Sequence, residues 1–244
     1  MKAHARLVAE HHRGRSRCTT LRCAPPLGFR ATAEGIHMVA TAAGPVGGDD
    51  LTLEVTVARG ASLAVRSVAA QLVLPAPRPA PSTTRLAVDV GYGARLTWSP
   101  EPTVVVRGAD HRLTTPIDLA AGADLTWRDE VVLGRDGEAG GSLLTRLRVE
   151  RAGSPLLCTE VALGPAWPTS GGPAGTGGAR VVATALLVGR PAQVVLSRLG
   201  GGATLSAAGG ARGAACRLAG DAVLLTALGH RLDGTRAVFA LVGV

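Results

Sequence analysis

Polar and apolar positions alternate with a period of two over much of this chain, most clearly between residues 44 and 164. Leu51, Leu53, Val55 and Val57 fall on one face of a strand, and Leu86, Val88 and Val90 on one face of another. Each strand runs into a Gly-Ala turn, and a further strand leaves it. The turns are copies of one pattern: Gly60-Ala61-Ser62-Leu63-Ala64-Val65, Gly93-Ala94-Arg95-Leu96-Thr97-Trp98 and Gly122-Ala123-Asp124-Leu125-Thr126-Trp127. Their spacing is nearly even, the first interval being slightly the longer. Glycine supplies the positive φ such a turn needs, and the recurrence predicts stacked β units, not a helical array.

Around this centre the pattern predicts short strands at Ala3–Val8, Thr19–Leu21 and Ile36–Val39, a buried strand at Thr103–Val106, and strands at Leu143–Glu150 and Leu156–Leu163. The Pro-rich segment 75–85 cannot donate a full ladder of hydrogen bonds. Residues 164–179 are too rich in Gly and Pro for a strand and read as a flexible loop. Strands follow at Val181–Val188, Val194–Leu196 and Ala222–Ala227. A short helix is expected near the end, with Asp233 as N-cap and Val238, Leu241 and Val242 at helical spacing. The expectation is a mainly β chain with at most two short helices, its strand units stacked as a β-sandwich or β-helix-like single domain. Residues 1–164 form the main body, 165–180 a Gly/Pro-rich loop, and 181–244 strands and a short helix that complete the same domain.

Composition sharpens this. The 244 residues are 46% hydrophobic but only 2% aromatic, so Ala, Val and Leu must fill the core, and many close-set strands are needed to bury enough area. The net charge of +8 comes almost wholly from arginine, Lys2 being the only lysine. That balance admits an acidic ligand or a nucleic acid, but six aromatic side chains leave little for base stacking and no nucleic-acid motif is present. The amino terminus is charged where a signal peptide needs an apolar core, and no apolar run approaches the ~18 residues of a membrane span. With four cysteines at irregular spacing (Cys18, Cys23, Cys158, Cys216), a cytoplasmic chain with reduced thiols and no membrane association is expected.

Candidate chemistry is sparse. His11, His12, Cys18 and Cys23 offer a soft-metal donor set, but Cys-x4-Cys without a second pair is a weak signal. Gly47-Gly48-Asp49 lacks the Lys-Ser/Thr and the following helix of a phosphate loop, and reads as a turn that Asp49 caps. No nucleophile elbow, metalloprotease helix or dinucleotide fingerprint occurs. The carboxylates that stand out are Asp49, Glu101 between two prolines, Glu130 at the start of the Val131–Leu133 strand, and Glu138 in the turn after Arg135. Glu101 and Glu130 could serve a glycosidase, although sugar sites are usually walled by aromatics.

The segments GPVGGDDLTLEVTVARGASLAVRSVAAQLVLP, GARLTWSPEPTVVVRGADHRL, WRDEVVLGRDGEAGG and SPLLCTEVALGP, in that order and spacing, resemble the urease accessory protein family UreD, also called UreH. The resemblance implies a non-enzymatic chaperone that binds apo-urease, docks a UreF-like protein and through it a UreG-like GTPase, and helps pass Ni²⁺ to the urease active site, with no permanently bound cofactor. It makes Asp49, Glu101, Glu130 and Glu138 the candidates for a transient nickel path, because oxygen donors in a wet channel hold the ion weakly enough to release it. The rival readings are an Arg-rich module for nucleic acid or an acidic ligand, and a carbohydrate hydrolase using Glu101 and Glu130.

Overall fold

The computed structural model describes residues 1–199, 204–206 and 210–244. Its core is a stack of coils built on the repeat. Strands β5 (Asp50–Val57), β8 (Ser82–Val90) and β11 (Asp110–Leu119) lie parallel in one sheet. Strands β6 (Ser62–Ser67), β9 (Arg95–Ser99) and β12 (Asp124–Leu133) lie parallel in a second. The register equals the sequence repeat: Ser62 pairs with Arg95 and Arg95 with Asp124, all at the same place within their copies. Asp50 likewise pairs with Thr83, and Ser82 with His111. A third side is made by β7 (Gln71–Val73), β10 (Thr103–Val105) and the end of β12. The extra length of the first interval sits in the Pro-rich loop before Ser82, where the next coil has only Val106–Ala109 before Asp110.

Each Gly-Ala copy closes a β-turn, with Ala61, Ala94 and Ala123 donating to the carbonyls of Ala58, Gly91 and Ala120. Gly60, Gly93 and Gly122, third in their turns, have φ of +68°, +62° and +68°, the geometry of a type II turn. The following alanines are buried and small enough to let the coils close. Turns also bond to turns: Gly60 N–H donates to Tyr92 O, and Arg95 N–H to Ala61 O. Inside the stack like sits on like, as Leu63, Leu96 and Leu125, and as Val65, Trp98 and Trp127. The two indoles stack at 5.0 Å with 7° between their planes.

The first sheet is extended by β1 (Lys2–His12) and β2 (Arg15–Arg22) on one side, and by β13 (Ser142–Arg151) and β14 (Ser154–Leu163) on the other. The second sheet gains β4 (Gly35–Ala40) and β3 (Leu27–Thr32) at one edge. At the other edge it gains β15 (Val181–Val188), β18 (Ala222–Gly229), β17 (Arg212–Arg217) and β16 (Thr204–Ser206). Helices α1 (Arg190–Leu199) and α2 (Leu232–Ala240) cover the outer face of this extension, burying Ala183, Ala185, Leu187 and Leu225 with Val195, Val238 and Phe239. The result is a mainly β single domain of stacked strand coils, as expected.

Three details differ. Val194–Leu196 is not a strand but lies inside α1. Pro191 suits a first turn, and Ala192 and Val195 recur at helical spacing toward the sheet. Helix α2 begins one residue before Asp233, whose carboxylate accepts from Gly234 N–H and from Arg231. Glu130 does not start a strand, because β12 runs unbroken from Asp124 to Leu133 and bends across two sides of the stack.

If the indole pair and the turns fix the coil, Trp127→Ala should cost about 3–5 kcal/mol of unfolding free energy. Gly93→Val, where nothing lies within 4 Å of the added carbon but φ is positive, should cost about 1–2 kcal/mol. Denaturant midpoints at unchanged m-value check both; equal, negligible losses would contradict the assignment.

Candidate functional site

The alternation along β12 decides which carboxylate goes where. Trp127, Asp129 and Val131 point into the stack, and Arg128 and Glu130 point out beneath the helical layer. Glu101 precedes Glu130 by the same interval that separates Gly93 from Gly122, so stacking brings the two together. Arg236 of α2 closes the pair. Its Nη2 donates to Glu101 Oε2 at 3.1 Å and to Glu130 Oε2 at 2.6 Å, and its Nε reaches both Glu130 oxygens at 3.1 Å. Arg128 donates to Glu130 from the neighbouring position, with its guanidinium 5.8 Å from the Phe239 ring centre. Glu101 is exposed, with its backbone N–H held by Ser67 Oγ at 2.8 Å, whereas the Glu130 side chain is fully buried. Burial alone would raise the Glu130 carboxyl, but hydrogen bonds from Arg236 and Arg128 outweigh it and hold it below the ordinary carboxylate range. Two carboxylates face two guanidiniums, so the cluster is locally neutral.

The other two candidates lie elsewhere. Asp49, 5% exposed, sits at the corner before β5, accepting from Val46 N–H at 2.8 Å and from the amino group of Met1. Glu138 accepts from the backbone and guanidinium of Arg135 at 3.0–3.2 Å, and these bonds pull its carboxyl down to about 2. Each of the four candidates therefore has a cationic partner, and only Glu101 and Glu130 share one. Among the described residues, no three His, Cys, Asp or Glu side chains converge on a common point; His11, His12, Cys18 and Cys23 are not gathered.

Three further groups, Asp129 and His111 facing inward and Asp124 facing outward, were not among the candidate site residues. Asp129 accepts from Trp127 Nε1 at 2.5 Å. The residue as a whole is only partly buried, but its carboxylate meets the dry indole stack, and desolvation lifts it to about 6 against the pull of that hydrogen bond. The Trp98 indole N–H adds a weaker pull, since it makes no hydrogen bond of normal geometry. His111 is buried, its Nδ1 2.8 Å from Ser82 Oγ, and desolvation lowers it to about 4 so that it stays neutral. Asp124 caps α1, accepting from Arg190 N–H at 3.0 Å and Arg190 Nε at 2.7 Å. The signal for Asp129 was legible: with Trp127 inward on a strand, the residue two further on is inward too.

Removing Arg236 leaves Glu130 with Arg128 alone. Arg236→Gln should destabilise the fold by about 2–4 kcal/mol and raise hydrogen exchange in α2 first; unchanged protection of α2 would contradict the clamp. Asp129 gives a pH test. Its folded pKa is raised, so the folded state binds more protons than the unfolded one between about pH 4 and 6, and stability falls as pH rises through that window. At ~1.36 kcal/mol per pH unit, the ionised carboxylate costs up to about 3 kcal/mol above pH 6. The stability of Asp129→Asn relative to wild type should therefore climb from pH 4 to 6 and stay level above; a pH-independent difference would refute it.

The family model described as UreD urease accessory protein matches residues 1–242. A urease accessory protein UreD from Parafrankia sp. (strain EAN1pec) is 43% identical, over 92% of this chain and 84% of its own length. One from Streptomyces avermitilis is 39% identical, over 92% and 93%, and one from Streptomyces coelicolor 38%, over 77% of each.

Proposed function

Because this chain belongs to the UreD family of urease accessory proteins, we propose that it is a non-enzymatic chaperone of urease maturation, acting in the cytoplasm. In this reading it binds apo-urease and UreF-like and UreG-like accessory proteins, and helps deliver Ni²⁺ to the urease active site. The observation that carries the reading is the match over nearly the whole chain, shared with relatives of similar length. No described helix is long and apolar enough to cross a membrane.

Nickel is cargo here, and its proposed contacts are Asp49, Glu101, Glu130 and Glu138. The guanidinium partners give this a definite form. An arriving cation has to displace Arg236 from Glu101 and Glu130, and it leaves when the arginine returns. Oxygen donors that are already neutralised bind a divalent ion weakly, which suits transfer better than storage.

The test is activation of apo-urease at limiting nickel, read as nickel bound and activity per mole of co-purified complex. Glu101→Gln, Glu130→Gln keeps shape and hydrogen bonding but removes the charge, and should still assemble while yielding several-fold less nickel-loaded urease. Full activation by the double variant would take these residues off the metal's path. No difference between wild-type chain and no chain would remove the maturation role itself.

A further inference from the structure

The net charge of this chain is concentrated in its first 30 residues. Residues 1–30 hold Lys2 and six arginines against one carboxylate, Glu10, so six of the eight net positive charges lie there. Strands β1 and β2 carry most of them. Only Lys2–Ala9 of β1 pair with β5, so the ribbon formed by residues 10–17 extends past β5 and is exposed throughout, tied to the stack where Ser62 N–H donates to Ser16 Oγ at 2.8 Å. Its tip is a two-residue turn at Arg13-Gly14, with φ of +48° and +78°. That is the type I′ geometry in which Asn-Gly is preferred and arginine disfavoured. Arg15 and Arg17 face the same side as Arg22, on the outer face of the first sheet. Arg13, Arg15, Arg17, Arg22 and Arg30 are exposed and make no ion pair among the described residues, whereas the nearby Arg6 shares Glu54 with His4.

An exposed ribbon buries no apolar surface, so its own folding gains little from it. Three unpaired arginines, Arg13, Arg15 and Arg17, around a tip with unfavourable backbone form a surface that attracts carboxylates, with Arg22 further along the same face. We propose that the β1–β2 ribbon is a docking surface for an acidic face of a partner protein. Two observations favour protein over nucleic acid. Glu10 lies directly opposite Arg17, and Glu54 sits beside Arg6 on the next strand, mixed signs that suit a protein face and repel phosphate. The ribbon has no Phe, Tyr or Trp on which a base could stack.

That the partner is apo-urease rests on the function proposed above; the surface chemistry does not. The experiment compares the full-length wild type with Arg13→Glu, Arg15→Glu, Arg17→Glu, and with an equal charge reversal elsewhere, Arg59→Glu, Arg78→Glu, Arg107→Glu. Three probes are used between about 50 and about 200 mM salt: immobilised poly-L-glutamate, apo-urease, and a duplex DNA of about 30 base pairs. The ribbon variant should lose about tenfold in affinity for poly-L-glutamate and for apo-urease and show a flatter salt dependence, while the control changes less than about twofold. Equal losses in both variants on poly-L-glutamate, or tighter wild-type binding to DNA than to either acidic probe, would overturn the proposal. A ribbon-specific loss on poly-L-glutamate with no binding of apo-urease by the wild type would sustain the acidic-face surface and sink the urease reading.

Discussion

The in-register stacking of parallel coils through their Gly-Ala turns is the constraint on which the rest depends. A turn with one residue at positive φ and a buried alanine can close at the same place in successive coils, and the backbone N–H of one turn then meets the carbonyl of the next. Register follows from turn position, and side chains at equal offsets are forced into columns. With only six aromatic residues in the chain, the core gains its bulk by aligning two of them, Trp98 and Trp127, at the middle of the stack. Single-residue slippage would move the whole apolar set outward, so the repeat resists it.

The same columns place the polar groups. Glu101 comes to Glu130 because stacking repeats the offset, and the outer face where they meet is the one α2 covers. Arg236 consequently does two things at once: it neutralises a buried carboxylate and ties the last helix to a coil more than a hundred positions earlier. Asp124 does the same for α1. Inside, Asp129 and His111 are desolvated in opposite directions, one held toward its protonated form and the other held neutral. The interior therefore accommodates titratable groups with their charge suppressed.

How much of this was legible follows from the range of each interaction. Period-two alternation and the turn copies are local, and they placed Leu51–Val57, Val181–Val188 and the stacked architecture. The spacing of Gly60, Gly93 and Gly122 even set the pairing register. The segment Val194–Leu196 misled because three adjacent residues favour strand locally, while the capping carboxylate that starts the helix, Asp124, is far away in the chain. Glu101 and Glu130 stood out as residues, but nothing near them announces Arg236, which lies 106 positions beyond Glu130. The basic excess of residues 1–30 was visible in the sequence, but that Arg15, Arg17 and Arg22 share one outer face follows only from the pairing of β1 with β2.

As a member of the UreD family, this chain carries no open ligand cage among its described residues. It offers neutralised carboxylates, a stack of parallel coils and a basic ribbon, and the function proposed for it is exercised within an assembly with apo-urease. The most direct measurement of that claim is the mass of the species formed when the chain is co-expressed with apo-urease, read by light scattering across a size-exclusion peak. The account predicts a single peak containing both proteins in fixed ratio, and little chain eluting at its own 24.6 kDa. Separate elution of the two, with the chain soluble and monomeric, would contradict it.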